Sequence, residues 1–328
     1  MRGRKVLITG AGGYLGQRLV ENLAEDPSIE EVVGLDLKAP PSASRPAYRY
    51  LQGNVLDSRN LEEIVLVEKP DTVVHLVWTF NPTHDLLLQD CVDLGGTLNV
   101  LHAALRGGVQ NFVYAGSTTC YGALPENPNR EPFLKEEDWI RQSANRMSTP
   151  YRYARNKALA DLLFQILQYS GGCLMDTFWI RGAIVVGPHT NNIVSHLARS
   201  PFTFGKFMFR VAGCDPPMQF ISEYDMIEIL FRAVRDKWGG VVNVAGNGVV
   251  NYSEVVKMLG RREVCLPAWL LYPATEILWK LGIFKFPASL IDLVRYPWVT
   301  DISKLKKVCG YEPLYSSREA LEQLAESL

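Results

Sequence analysis

The chain has 328 residues, 47% of them apolar and 21% charged, with a formal net charge of −1. That composition builds one large domain or two interleaved ones, and the near-neutral balance excludes a surface made for nucleic acid or for an anionic membrane. Six scattered cysteines (91, 120, 173, 214, 265 and 309), with no C-x-x-C pair and no histidine cluster at ligand spacing, predict reduced thiols, no metal site and a cytoplasmic protein.

From the N-terminus, short β-branched runs alternate with helical patterns for the first 190 residues. The strand candidates are KVLITG (5–10), EVVGLDL (31–37), YRYLQGNV (48–55), TVVHLVW (72–78), NFVYAGS (111–117) and MDTFWIRGAIVVG (175–187). Helices are expected near 14–25, 58–68, 85–107 and 150–170. This alternation predicts an α/β fold with a doubly wound parallel sheet, whose buried strands read as near-continuous apolar runs. After VVGP (185–188) the pattern changes. Residues 189–220 have no clear period; a helix over 222–237, a strand over 240–246 and a helix over 251–260 follow. The expected organisation is a dinucleotide-binding domain from 1–188 plus about 220–247, and a smaller interleaved substrate lobe from about 189–219 plus 248–328. The apolar run VLITG, entered from Met1-Arg2-Gly3-Arg4-Lys5, is too short for the h-region of a signal peptide. The most apolar stretch, VCLPAWLLYPAT (264–275), is broken by two prolines and bounded by Glu263 and Glu276. It cannot span a bilayer, and at most touches a lipid surface from outside.

ITGAGGYLGQRLV sets Gly10, Gly13 and Gly16, with Tyr14 and Leu15 between them, at the junction of the first strand and first helix. Glycine allows the tight turn and the close approach of backbone to a pyrophosphate, which the helix N-terminus then favours electrostatically. Twenty residues beyond Gly16, Asp36 closes the second strand. A carboxylate there accepts hydrogen bonds from the adenosine ribose and repels a 2′-phosphate, which predicts NAD as cofactor, while Lys38 argues for NADP.

TPYRYARNKALAD (149–161) opens a further helix. Side chains four apart share a helix face, so Lys157 neighbours Tyr153, whereas Tyr151 faces Arg155. An ammonium beside a phenol stabilises the phenolate and draws it towards the range of a general base.

An ordered series of motifs spans nearly the whole chain: TGAGGYLG (9–16), Asp36, GNVLD (53–57), VVHLVW (73–78), DLGGTLNVL (93–101), AGSTTCYG (115–122), Tyr153-Ala-Arg-Asn-Lys157, IRGAIVVGP (180–188), QFISEYD (219–225) and TDISKLKKVCGYEP (300–313). The series resembles the extended short-chain dehydrogenase/reductases, the NAD-dependent epimerase/dehydratase family. The resemblance implies that Tyr153 exchanges the proton of a substrate hydroxyl, that Lys157 keeps Tyr153 acidic and bonds the nicotinamide ribose, and that Ser117 orients the substrate oxygen. Thr118 and Thr119 beside it are candidate substrate contacts that also fit as turn hydroxyls. Asn54 and Val55 are expected to flank the adenine, with Leu76, Val77 and Trp78 along the nicotinamide half. A homodimer through the helices near 85–107 and 150–170 is also implied.

The chain departs from that pattern where substrate is bound. Ile184 stands where nucleotide-sugar members carry an asparagine, and Met218 where they carry an arginine that pairs with phosphate. Apolar side chains there leave a diphosphate poorly compensated. Arg295 and His196 are the candidate polar contacts from the variable lobe, which is rich in aromatic residues such as Phe202, Phe204, Phe209 and Trp298. On the cofactor side, Asn54 replaces an aspartate, Asp93 an asparagine and Trp78 a small residue. The resulting expectation is an NAD-dependent oxidoreductase acting on a secondary alcohol or ketone of a largely apolar, hydroxysteroid- or lipid-like small molecule. The alternatives are a nucleotide-sugar 4-epimerase or dehydratase, and a non-catalytic NAD-sensing scaffold.

Overall fold

The computed structural model describes residues 4–38, 48–138, 151–169, 175–190 and 207–328. The strands are β1 (Arg4–Thr9), β2 (Ile29–Asp36), β3 (Tyr48–Gln52), β4 (Thr72–His75), β5 (Asn111–Ser117), β6 (Asp176–Gly182), β7 (Ile184–Val186), β8 (Phe207–Val211), β9 (Pro217–Met218), β10 (Phe220–Ser222), β11 (Gly240–Val244), β12 (Val250–Asn251) and β13 (Arg262–Leu266). Seven of them form one sheet in the order β11-β6-β5-β4-β1-β2-β3, parallel throughout. The strand order reverses between β1 and β4, and the crevice that opens at such a reversal is where doubly wound sheets bind ligands.

Side chains alternate across a strand, and β1 uses both faces. Val6 and Ile8 enter one apolar core with Leu19, Leu23, Ile229 and Leu230. Leu7 enters the other with Val73, Phe112, Phe164 and Trp179. Helix α1 (Tyr14–Ala24) closes the first core through Leu19, Val20 and Leu23. Helix α2 (Ser58–Glu68) closes the second through Leu61 and Val65, and starts where the Asp57 side chain accepts from the Asn60 N–H. Helix α5 (Arg152–Tyr169) covers the same side, with Ala160 and Phe164 packed into that core. Two further cores, one around Met218, Phe220, Tyr252 and Leu321 and one around Val211, Leu271 and Ile291, lie outside the main sheet.

Several elements differ from the sequence reading. The 72–78 run stops being a strand at His75, although the Leu76 N–H still donates to the Thr9 carbonyl of β1 at 3.0 Å. The 175–187 run breaks at Ala183, because β7 pairs with β10 and leaves the main sheet. The helix expected over 85–107 is α3 (Leu86–Asp90), a π-helical turn (Cys91–Gly95) and α4 (Gly96–Arg106). That turn carries Asp93 fully buried. The aperiodic region contains β8, which pairs in parallel with β13. The apolar 264–275 stretch divides between β13 and a helix, Ala268–Lys280, that contains Pro273. Among the described residues no helix is long and apolar enough to cross a membrane.

Candidate active site at the carboxyl ends of the strands

A cavity of about 630 Å³ runs from the glycine loop to the variable segments. Gly10, Gly13, Tyr14, Leu15 and Gly16 line one end. Gly10 has φ +80°, and a Cβ on it would lie 2.9 Å from the Val77 nitrogen; a Cβ on Gly16 would lie 2.3 Å from the Gly10 carbonyl oxygen. Both positions therefore require glycine. Gly13 caps α1 with no side chain, so the first N–H groups of the helix are left for a ligand. Asp36 Oδ2 accepts from the Gly12 N–H at 2.9 Å, so this carboxylate is tied to the glycine loop. A tight loop, an uncapped helix start and an acid closing β2 fit a dinucleotide.

The flanking candidates divide. Leu76 and Trp78 line the cavity. Val77 does not, and presents its backbone to Gly10. Asn54 is exposed and its side chain accepts from the Leu56 N–H. Val55 is buried against Gly96, and its carbonyl accepts from Asn99.

Ser117, Tyr153 and Lys157 all line this one cavity. Ser117 closes β5, and its Oγ accepts from the Thr119 N–H at 3.2 Å and the Thr119 hydroxyl at 3.0 Å. Thr119 thus lines the cavity and holds Ser117. The Thr118 hydroxyl is spent on the Gly182 carbonyl and does not line the cavity. Helix α5 begins at Arg152, so Tyr151 precedes it, its carbonyl accepting from the Arg155 N–H. Tyr151 is nevertheless buried in the cavity wall, 5.7 Å from the Tyr153 ring.

The charge arrangement corrects one expectation. The Lys157 ammonium donates to the Ala115 carbonyl at 2.7 Å and lies 3.6 Å from the centre of the Trp78 ring, against 5.8 Å for the Tyr153 ring. Burial pushes the Tyr153 phenol well up, with the Ser117 hydroxyl working against it. Burial also pushes the Lys157 ammonium down, and the Asp93 carboxylate opposes that. Desolvation therefore outweighs any help that Lys157 gives Tyr153 in this geometry.

Sequence reasoning missed the support behind these residues. Asp93 accepts from the Thr79 N–H at 2.9 Å and from Asn156 at 3.1 Å, which ties the segment after β4 to α5. Its replacement of asparagine was visible, but the π-turn that buries it was not.

Ile184 and Met218 also line the cavity, with Met208, Tyr252, Leu271 and Trp298. Among the described lining residues, Lys157 carries the sole cationic side chain. Arg295 is not among them: its guanidinium packs on the rings of Tyr296 and Tyr272 and reaches the Tyr272 hydroxyl. His196, Phe202 and Phe204 lie outside the described residues.

Comparison with known proteins agrees with this fold. An uncharacterized protein of Mycobacterium tuberculosis is 22% identical over 331 residues, covering 97% of this chain and 82% of that protein. The Bordetella bronchiseptica enzyme WbmG, solved with NAD and UDP, has a TM-score of 0.70 at 20% identity, covering 99% of this chain and 94% of its own. UDP-glucose 4-epimerase of Thermotoga maritima, solved with UDP-glucose, also has a TM-score of 0.70, at 16% identity and 98% coverage of both chains. The model of the NAD dependent epimerase/dehydratase family matches residues 6–245. The chain belongs to that family, and its cofactor is NAD.

Proposed function

We propose that the chain moves a hydride between nicotinamide and a secondary alcohol carbon. The observation that carries this reading is the convergence of Ser117, Tyr153 and Lys157 on one cavity that begins at the glycine loop. When bound, NAD supplies the hydride acceptor or donor. The chain's own residues do the rest. Tyr153 takes or returns the hydroxyl proton, Ser117 holds the oxygen, and Lys157 supplies a buried positive charge beside them. The apolar walls keep water from the reacting carbon.

For the substrate, the comparisons give wider support to a nucleotide sugar, epimerised or dehydrated with the cofactor regenerated. WbmG was solved with UDP and the Thermotoga epimerase with UDP-glucose. One observation favours the second reading, an apolar alcohol or ketone turned over with net change of cofactor. Ile184 and Met218 line the cavity and Arg295 does not, so the described walls offer a diphosphate few donors. Calorimetry with UDP, beside an absorbance assay on apolar alcohols and ketones, separates the two. Micromolar UDP binding without net cofactor turnover supports the nucleotide sugar. Millimolar binding, weaker by about 4 kcal/mol, together with net turnover supports the apolar substrate. Absence of NAD binding would overturn both.

We also propose a homodimer. Leu86, Leu87, Leu88, Leu98 and Leu105, on α3 and α4, and Leu162 and Ile166, on α5, are exposed, and a second copy would cover them.

A further inference from the structure

Trp78 sits just past β4, is 8% exposed and lines the cavity. Its ring stands edge-on to Tyr153 at 6.4 Å and tilted against Tyr114 at 6.0 Å. The closest charge to it is the Lys157 ammonium, 3.6 Å from the ring centre. Lys157 is 2% exposed, and a buried ammonium needs compensation. The carboxylates in its field are engaged elsewhere: Asp93 with Thr79 and Asn156, and Asp161 with Arg181 and Trp179. What touches the ammonium is the Ala115 carbonyl, the Tyr114 hydroxyl at 3.4 Å and the indole face.

We infer that Trp78 is a positioning residue: its indole face holds Lys157 as a charged ammonium and thereby sets the upper pH limit of the site. The part of this that concerns catalysis rests on the function proposed above; the contact itself does not. An aromatic quadrupole attracts a cation most strongly where water is excluded, as here. The other titratable groups facing Lys157 cannot replace it. His75 is neutral because burial lowers it to about 3. The Tyr114 and Tyr153 phenols and the Cys120 thiol are held protonated by burial. Asp93 and Asp161 favour the ammonium from a distance, and the indole adds to them.

The test is a pH titration of the Lys157 side chain by NMR on the full chain with ¹³C-labelled lysine, its signal identified by loss in Lys157→Met. Trp78→Leu should lower the Lys157 midpoint by about one pH unit, and Trp78→Phe, which keeps a ring, by less than half of that. Incorporating increasingly fluorinated tryptophan drains the ring quadrupole at nearly constant shape, so the midpoint should fall stepwise, with no such trend on the Trp78→Phe background. That series decides the matter if Trp78→Leu does not fold. An unmoved midpoint across the fluorinated series, or equal shifts in Trp78→Leu and Trp78→Phe, would overturn the inference and leave Trp78 as packing. The alkaline limb of kcat/KM should follow the NMR midpoint. A shifted midpoint in a protein that turns over no alcohol, ketone or nucleotide sugar would instead sink the functional reading and leave the contact standing.

Discussion

Asp161 and Arg181 form a two-pronged ion pair sealed inside the molecule. Arg181 Nε donates to Asp161 Oδ2 at 2.7 Å and Nη2 to Oδ1 at 2.9 Å, with the side chains 0% and 2% exposed. The Trp179 indole N–H adds a bond to the same carboxylate, and Arg181 also reaches the Tyr121 hydroxyl and the Glu136 carbonyl. Asp161 lies one helical turn beyond Lys157, so the pair clamps the helix that carries Tyr153 and Lys157 onto β6.

Breaking this pair from one side strands a buried charge. Asp161→Leu or Arg181→Met should each destabilise the fold by about 3–5 kcal/mol, and the double variant Asp161→Leu/Arg181→Met by less than the sum. Urea unfolding measures both. Simple additivity would mean that the two charges do not depend on each other.

Tyr151 and Tyr153 both reach the cavity, but Tyr153 alone contacts Ser117 among the interactions that set its acidity. Tyr153→Phe should lower kcat by about 10²–10⁴-fold and leave NAD affinity nearly unchanged by fluorescence titration. Tyr151→Phe should cost far less. Equal losses would mean that the proton path is not specific to Tyr153.

Asp36 holds the Gly12 N–H and closes β2. NADH should therefore bind at least several-fold more tightly than NADPH, and Asp36→Ser should narrow the gap, because the charge that repels a 2′-phosphate is gone. Competitive titration of the two cofactors reads this. No preference in the unsubstituted chain would point to Lys38.

His75 is fully buried between the Thr9 and Thr97 hydroxyls, and burial lowers its pKa from 6.5 to about 3. The unfolded chain then binds a proton that the folded one refuses. The stability contributed by neutral His75 is fully present above the unfolded pKa and falls as pH drops from 6.5 towards 3, by a few kcal/mol in all. His75→Gln should be less stable at pH 7 yet lose less on acidification, in unfolding curves at pH 7 and pH 5. An identical slope with pH would locate the acid sensitivity elsewhere.

Leu162 and Ile166 are 48% and 57% exposed on one face of α5. Leu162→Glu/Ile166→Glu should convert the dimer to a monomer by light scattering while the far-ultraviolet dichroism stays the same. A monomeric unsubstituted chain would refute the dimer.

Much of the sheet was legible because its strands are buried on both faces: Val6-Leu7-Ile8 and Val73-Val74 feed the two cores and read as unbroken apolar runs. The glycine loop was legible because a Cβ on Gly10 or Gly16 would collide with backbone. Ser117, Tyr153 and Lys157 were found through motif context, and the structure brings them into one cavity. What failed was non-local. Nothing in local spacing says that Phe207 will lie opposite Arg262, or that Arg295 will stack on Tyr296 instead of turning inward. The partnership of Lys157 with Trp78 rather than Tyr153 was equally hidden, because helix spacing reports faces and not which neighbour an ammonium chooses.

The pairing of β8 with β13 has a consequence for recombination. The two strands are adjacent in space, yet β11 of the main sheet falls between them in the chain. A chimera that imports 207–218 from a relative but keeps its own 250–298 would join two strand edges that never evolved against each other. Excising the whole interval as a single block would remove the last strand of the seven-stranded sheet. The β8–β13 pair is thus inherited as a split cassette, whose halves must be exchanged together around an untouched β11.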